Sequence, residues 1–138
     1  MRVVLDTNIL ISACWTPGGN ESQVVAMALG GRLIACVSAT VEAEYRDVAQ
    51  RKKFARYRDE MEAMIDALLA VCERVEPEGV CTACSDADDN HVMDCALAGR
   101  AEYVVTGNLR HFPEEWRGVR ATNARGLLQL GLGGQPGC

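Results

Sequence analysis

The chain has 138 residues, 49% of them hydrophobic and 24% charged, with a formal net charge of −5 at pH 7. This size and composition predict one globular domain, and the acidic balance excludes a protein that coats nucleic acid through bulk positive charge. No apolar run reaches about 18 residues, and Asp6 interrupts the first one too early for a signal peptide. We therefore expect a soluble, cytoplasmic protein without a membrane partner.

The first third of the chain predicts a strand, a helix and a second strand. Residues 2–5 and 33–37 are short apolar runs rich in β-branched residues, which end at Asp6 and Ser38 and are typical of buried strands. Between them, residues 21–29 are helical in composition and stop at two glycines. This alternation predicts a parallel sheet.

The middle of the chain predicts two helices and a weaker strand. Ser38 is a suitable N-cap for a helix over residues 41–49, and residues 59–69 carry apolar side chains at near-helical spacing. Residues 72–75 predict the third strand, which a proline and a glycine then end.

The last third predicts a helix that starts at residues 85–88 and ends at Gly99, then two strands and a helix. The bounds of these last three elements are 103–106, 119–121 and 123–130. Right-handed crossovers then give a doubly wound, three-layer α/β/α domain with a mostly parallel sheet. We expect this domain to span residues 1–132 and residues 133–138 to form a flexible, Gly-rich tail.

Acidic and amide side chains follow the predicted strands at the edge where doubly wound sheets bind ligands. Asp6 ends the first strand, Asp88 and Asp89 open the helix before the fourth strand, and Asn108 follows that strand. Glu44 joins them if its helix leans over the same edge. A charge beside an apolar strand is costly unless it is paired or bound to a metal.

Each acidic residue alone also has a structural interpretation. Asp6 could form an Asx turn with Thr7 and Asn8, and the two aspartates at the helix start could simply favour the helix dipole. Asp94 is harder to explain in this way, because it interrupts an apolar helix. Clustered carboxylates are stable at neutral pH mainly with a divalent cation. Oxygen ligands favour Mg²⁺ or Mn²⁺, a chemistry that suits phosphodiesters.

Other residue clusters leave more than one interpretation open. Six of the 14 basic residues lie between Arg46 and Arg58, where they could contact a phosphate backbone or form a solvated surface. The seven cysteines are an odd, scattered set that does not suggest a disulfide framework. Two of them, Cys81 and Cys84, have zinc-like spacing, but no second such pair follows. Both tryptophans, Trp15 and Trp116, could anchor an interface or cap the core.

Five segments in order carry a resemblance to a known family. They are residues 5–10, which begin Leu-Asp-Thr-Asn, and residues 15–19, 38–48, 84–90 and 103–108. On these segments the chain resembles the PIN-domain family, in particular the VapC-like ribonucleases described as toxins of toxin–antitoxin pairs. The resemblance covers nearly the whole chain, and it implies about five parallel strands and a nuclease domain over residues 1–132.

The resemblance also implies a metal site. Asp6, Glu44 and Asp89 would hold one or two Mg²⁺ or Mn²⁺ ions, and Asp94 is a further candidate ligand and catalytic residue. Supporting roles fall to the neighbouring polar residues Thr7, Asn8, Asp88 and Asn108. Similar proteins often carry an acid at the position of Asn108, so the second ion would bind weakly here unless Asp94 contributes.

The implied substrate is RNA, cleaved by in-line attack of a metal-activated water. Basic residues would guide its backbone toward the metals, namely Arg46, Arg51, Lys52 and Lys53. The resemblance further implies an antitoxin partner, and homodimers are common among similar proteins.

Two other functions compete with this interpretation. A phosphatase with an aspartate nucleophile is disfavoured, because no second aspartate stands two residues after Asp6. A binding module that keeps the fold and has lost catalysis is favoured only by Asn108, and the four retained acids oppose it.

Overall fold

Six strands form one sheet in the computed structural model, which describes residues 1–130. The strands are β1 (Arg2–Leu5), β2 (Ile34–Val37), β3 (Glu73–Arg74), β4 (Tyr103–Val105), β5 (Glu115–Trp116) and β6 (Val119–Thr122). The helices are α1 (Thr7–Trp15), α2 (Asn20–Leu29), α3 (Ala39–Ala49), α4 (Arg58–Val71), α5 (Asn90–Ala98) and α6 (Ala124–Gln129). Short 3₁₀ helices cover Lys52–Tyr57, Ala87–Asp89 and Leu109–His111. The tail predicted at residues 133–138 lies outside the described residues.

The sheet has the order β3-β2-β1-β4-β6-β5. All neighbouring strands are parallel except β5, which pairs antiparallel with β6. This confirms the prediction of a mostly parallel sheet of about five strands, to which the two-residue β5 adds an antiparallel edge. Strand order reverses direction between β1 and β4, where Leu5 pairs with Val105. The residues that follow, Asp6 and Thr106, therefore emerge side by side at the carboxyl edge.

Helices cover the sheet in layers. The helix α5 packs against β1, β2, β4 and β6, while α1, α2, α4 and α6 contact one another in a separate group. Strand residues Val3, Val4 and Leu5 are fully buried, as expected for a parallel strand covered on both faces. The three-layer arrangement leaves the ends of the strands, rather than their faces, accessible to ligands.

Local sequence explains most helix boundaries. The hydroxyl of Ser38 accepts a hydrogen bond from the Val41 amide and caps α3, as predicted. The helix α1 was missed, because the residues after Asp6 were interpreted as a turn and its β-branched and aromatic residues have modest helix propensity. Tertiary burial of Ile9 and Leu10 stabilises it instead. Within residues 1–130, none of the helices combines the length and the apolar composition that crossing a bilayer requires.

Candidate metal centre

Asp6 is a buried carboxylate held in place by three donors. Its Oδ1 accepts from the Thr7 amide at 2.9 Å, which makes Asp6 the N-cap of α1. Its Oδ2 accepts from the Thr106 hydroxyl at 2.8 Å and from the Asn8 amide group at 3.2 Å. Burial nevertheless raises the pKa of Asp6, an effect that the hydrogen bonds from Thr106 and Thr7 only partly offset. The side chain is therefore well oriented, but its charge is costly.

Polar side chains tie the ends of β1 and β4 together beneath Asp6. Asn8 accepts from the Gly107 amide at 2.8 Å, and Thr106 accepts from the Asn108 amide at 3.0 Å. The side chain of Asn108 is exposed, whereas the Thr7 hydroxyl is buried without a hydrogen-bond partner among the described residues. Asn8 therefore contacts both Asp6 and the loop after β4.

Glu44 lies beside Asp6 because α3 crosses the end of β1. The buried Tyr45 donates its hydroxyl hydrogen bond to the carbonyl of Leu5, the residue before Asp6. The negative charge of Glu44 contributes to the raised pKa of Asp6. Oε1 of Glu44 lies 2.6 Å from Nε2 of His91 on α5, and this hydrogen bond raises the pKa of His91. Helices α3 and α5 therefore meet beside Asp6, where Glu44 contacts His91.

Asp89 brings a second group of ligand atoms to the same edge. Asp86, Asp89 and His111 each offer one such atom, and these atoms lie within 4.8 Å of one another. Burial raises the pKa of Asp89, and the charges of Asp6 and Asp86 raise it further. In the described part of the chain, no other three potential ligands lie this close together. The carboxylate oxygens of Asp6, Glu44 and Asp89 therefore do not all lie within 4.8 Å of one another.

The predicted residues Asp94 and Asp88 occupy different positions. Asp94 is buried, and its Oδ1 accepts from the Val80 amide at 3.0 Å and from the Cys81 amide at 2.8 Å. It therefore anchors the loop before α5 and is not part of the Asp86, Asp89 and His111 group. The side chain of Asp88 is exposed.

The four predicted RNA-binding residues divide into two kinds. Arg46 lies 2.7 Å from Asp66 and Arg51 lies 3.2 Å from Asp47, so both form exposed ion pairs. Lys52 and Lys53 are exposed on the 3₁₀ helix, and within residues 1–130 neither forms a salt bridge.

Sequence reasoning missed several residues of this edge, notably Thr106, His91, Asp86 and His111. Thr106 was recoverable, because the parallel register of β1 and β4 places it next to Asp6. The two histidines have no comparable signal in the sequence. Their contacts with Glu44 and Asp89 join residues 47 and 22 positions apart (91 − 44 and 111 − 89), which no local pattern predicts.

The donor set fits a hard divalent cation. Burial raises the pKa values of Asp6 and Asp89; the charge of Glu44 adds to the effect at Asp6, and the charges of Asp6 and Asp86 add to it at Asp89. A bound cation offsets such repulsion. Across residues 1–130, neither lysine nor arginine forms a salt bridge with Asp6, Glu44 or Asp89. Carboxylate oxygens suit Mg²⁺ and Mn²⁺, and His111 adds a nitrogen that Mg²⁺ does not favour.

A doubly wound domain with acidic side chains at its strand-order reversal defines the class of this protein, and comparison with known proteins gives the family. The sequence pattern of the PIN domain matches residues 2–110. The chain belongs to the PIN-domain family.

Individual relatives are distant. An uncharacterized protein of Methanocaldococcus jannaschii is 23% identical over 111 residues, which cover 78% of this chain and 71% of the relative. A chain in the crystal structure of VapBC2 from Rickettsia felis, bound to a DNA fragment from their promoter, superposes with a TM-score of 0.59 at 18% identity. That match covers 88% of this chain and 98% of the other, and it shows a shared fold.

Proposed function

We propose that this chain is a divalent-metal-dependent endoribonuclease that cleaves RNA phosphodiester bonds, with Asp6, Glu44 and Asp89 as ligands of one or two Mg²⁺ or Mn²⁺ ions. The observation that carries the proposal is Asp6, a buried carboxylate that no lysine or arginine neutralises among residues 1–130. Membership of the PIN-domain family supports it, because PIN domains are generally nucleases that depend on divalent metals.

The side chains around the acids orient them for this role. Thr106 and Asn8 fix the Oδ2 atom of Asp6, and Thr7 fixes Oδ1 through its amide. His91 holds the carboxylate of Glu44. Asp6, Glu44 and Asp89 would hold the ions, which would supply activation of a water molecule and stabilisation of the leaving oxygen. Outer partners of this kind typically change metal affinity or activity by about 10–100-fold when they are removed.

Asp94 and Asn108 have secondary places in the proposal. Asn108 offers an exposed amide oxygen where similar proteins often carry an acid, so it contributes a ligand without charge. Asp94 acts as a ligand only if its second oxygen reaches the edge while Oδ1 keeps its two backbone donors. Asp88 supports the site from the short 3₁₀ helix before α5, where its backbone contacts His91.

RNA approaches through the basic residues that precede α4. Lys52 and Lys53 are available to phosphates directly, whereas Arg46 and Arg51 exchange an exposed ion pair for a phosphate contact. Exposed pairs of this kind contribute little stability, so the exchange is inexpensive.

The similarity to a chain of the VapBC2 structure supports a VapC-like role in the same proposal. The chain would be the toxin of a toxin–antitoxin pair, acting in the cytoplasm as a nuclease domain over residues 1–132. Its partners would be an antitoxin that covers the acidic edge and a second copy of the chain in a homodimer.

A weakened PIN-domain module that binds RNA or protein without cleavage is the second candidate. Asn108 favours it, because the loss of one acidic ligand lowers affinity for a second ion. Catalysis decides between the two functions.

The test measures cleavage and metal binding in one matched set of variants. Labelled single-stranded RNA is incubated with wild type, Asp6→Asn and Glu42→Gln in Mn²⁺, in Mg²⁺ and in EDTA, and Mn²⁺ binding is measured by calorimetry. Asp6→Asn should lower cleavage by more than about 100-fold, since losing a ligand costs more than losing its outer partner. Glu42→Gln removes a carboxylate from α3 that pairs with Arg74, and it should behave as wild type. RNA binding without cleavage in Mn²⁺ would favour the binding module instead.

A further inference from the structure

Trp15 is the most exposed large hydrophobic residue among those described, with 52% of its surface accessible. Two other aromatic rings pack against it in tilted orientations. The centroid of Phe54 lies 5.5 Å away and that of Tyr57 lies 6.3 Å away. We call Trp15, Phe54 and Tyr57 the aromatic platform. Phe54 is buried and Trp15 is not, so the platform rests on the core and leaves about half of the Trp15 surface exposed.

Cationic side chains surround this platform. The Nζ atom of Lys53 lies 5.1 Å from the Phe54 ring centroid, and the Arg56 guanidinium lies 6.0 Å from that of Tyr57. Lys52, Lys53 and Arg56 are exposed, and none of them forms a salt bridge within the described range 1–130. A local group of three such cations is notable in a chain whose net charge is −5.

Helix α1 connects the platform to the acidic edge. Asp6 caps the first residue of α1, and Trp15 is its last residue. At 1.5 Å per residue, the nine residues of α1 place Trp15 about 13 Å along the helix axis from its start. A nucleic acid strand in contact with both would need to extend by only a few nucleotides.

We propose that the aromatic platform is a subsite for single-stranded RNA, in which an unpaired base stacks on Trp15 and the neighbouring phosphates contact Lys52, Lys53 and Arg56. This inference rests on the proposed function and names where its substrate is held. Aromatic rings interleaved with cations suit single strands, because bases stack on the rings while the phosphates need positive charge. A protein partner would favour the indole equally, but it would not require three adjacent cations.

Binding is measured without metal so that cleavage does not enter the result. A labelled single-stranded RNA is titrated in EDTA by fluorescence anisotropy with wild type, Trp15→Leu and Trp15→Phe. Trp15→Leu should weaken binding by about tenfold, a typical effect of losing one stacking contact. Trp15→Phe should keep most of the affinity, because a phenyl ring also stacks. A duplex RNA of the same length should bind equally to all three proteins.

The cations are tested through salt dependence. In a plot of the logarithm of the binding constant against the logarithm of the salt concentration, each phosphate contact with a single strand contributes about 0.7 to the downward slope. The double variant of Lys52→Ala and Lys53→Ala should therefore make the slope less steep by about 1.4. Arg120→Ala, which removes an exposed arginine on β6, is the matched control and should leave the slope unchanged.

A second measurement covers the case in which Trp15→Leu fails to fold. In a Trp116→Phe background Trp15 is the remaining tryptophan of the chain, and single-stranded RNA should quench its fluorescence. Equal RNA affinity in wild type and Trp15→Leu, or unchanged Trp15 fluorescence on saturation, would overturn the subsite. So would a Trp15→Leu protein that changes oligomeric state in light scattering but binds RNA normally, because the platform would then be a contact between proteins.

The outcomes also separate this inference from the proposed function. Metal-dependent cleavage together with binding that ignores Trp15 removes the subsite and leaves the nuclease. Binding that depends on Trp15 without cleavage in Mn²⁺ removes the nuclease and leaves the subsite.

Discussion

Carboxylates at two edges of the molecule differ in their partners and in the direction of their pKa shifts. Near β3, Glu73 pairs with Arg2 and Glu42 pairs with Arg74, and these arginines lower the pKa values of both acids. At the carboxyl edge, burial raises the pKa values of Asp6 and Asp89, and their partners are hydroxyls, amides and imidazoles.

The difference shows which acids the chain neutralises by itself. The ion pairs near β3 are exposed, and such pairs contribute little to stability. The acids of the carboxyl edge are kept although their charge opposes folding, which is typical of a binding or catalytic site. The acidic residues of the two groups look alike in the sequence, whereas the presence of an arginine partner in the structure distinguishes them.

Substitution of Asp94 should have the largest effect on stability. Its carboxylate differs from those of both edges, because backbone amides are its hydrogen-bond partners. Asp94→Ala removes the acceptor of the Val80 and Cys81 amides, and it should lower the free energy of unfolding by about 2 kcal/mol. Asp94→Asn keeps an oxygen acceptor and should lose much less. Urea denaturation in EDTA measures both. Normal stability with lost Mn²⁺ binding in Asp94→Ala would instead make Asp94 a metal ligand.

Asp6→Asn should instead raise the free energy of unfolding. The folded state raises the pKa of Asp6, so this group favours folding fully below its ordinary pKa and loses that contribution as pH rises through the raised pKa. Asparagine removes the charge and remains a good N-cap. At pH 7 in EDTA the variant should be more stable by about 1 kcal/mol.

Saturating Mn²⁺ should reverse this order, because an ion that binds only the folded wild type stabilises it by mass action. Thermal unfolding with and without Mn²⁺ measures the reversal, with Glu42→Gln as the control from the neutralised edge. A stability gain from Mn²⁺ that is equal in wild type and Asp6→Asn would contradict the ligand role.

The smallest effect concerns His91, which gives Glu44 a partial countercharge. The pKa of His91 is raised by its hydrogen bond to Glu44. Its contribution to stability is therefore complete below its ordinary pKa of about 6.5 and is lost as pH rises through the higher folded value. Wild type should exceed His91→Gln in unfolding free energy more at pH 6 than at pH 9, measured in EDTA. An equal difference at both pH values would mean that the contact acts through packing alone.

Much of the fold could be predicted from the chain alone, because buried strands and capped helices have local signatures. The runs at β1, β2 and β4 were recognisable, and so was Ser38 as the cap of α3. The helix α1 was not, since burial of Ile9 and Leu10 outweighs weak propensity. At the candidate site, Asp6 and Asp89 were singled out because Asp6 follows a strand and Asp89 precedes a helix. His91 and His111 reach the edge only through long-range packing.

The side chain of Asp6 has two roles, because it caps α1 and is also part of the acidic edge. Serine in its place would keep a helix cap and discard the charge, and glutamate would keep the charge on a side chain too long for a good cap. Few replacements satisfy both demands, so this position has little freedom to drift. Its neighbours on the solvent face of α1 are under no comparable constraint, and divergence within the family should concentrate there.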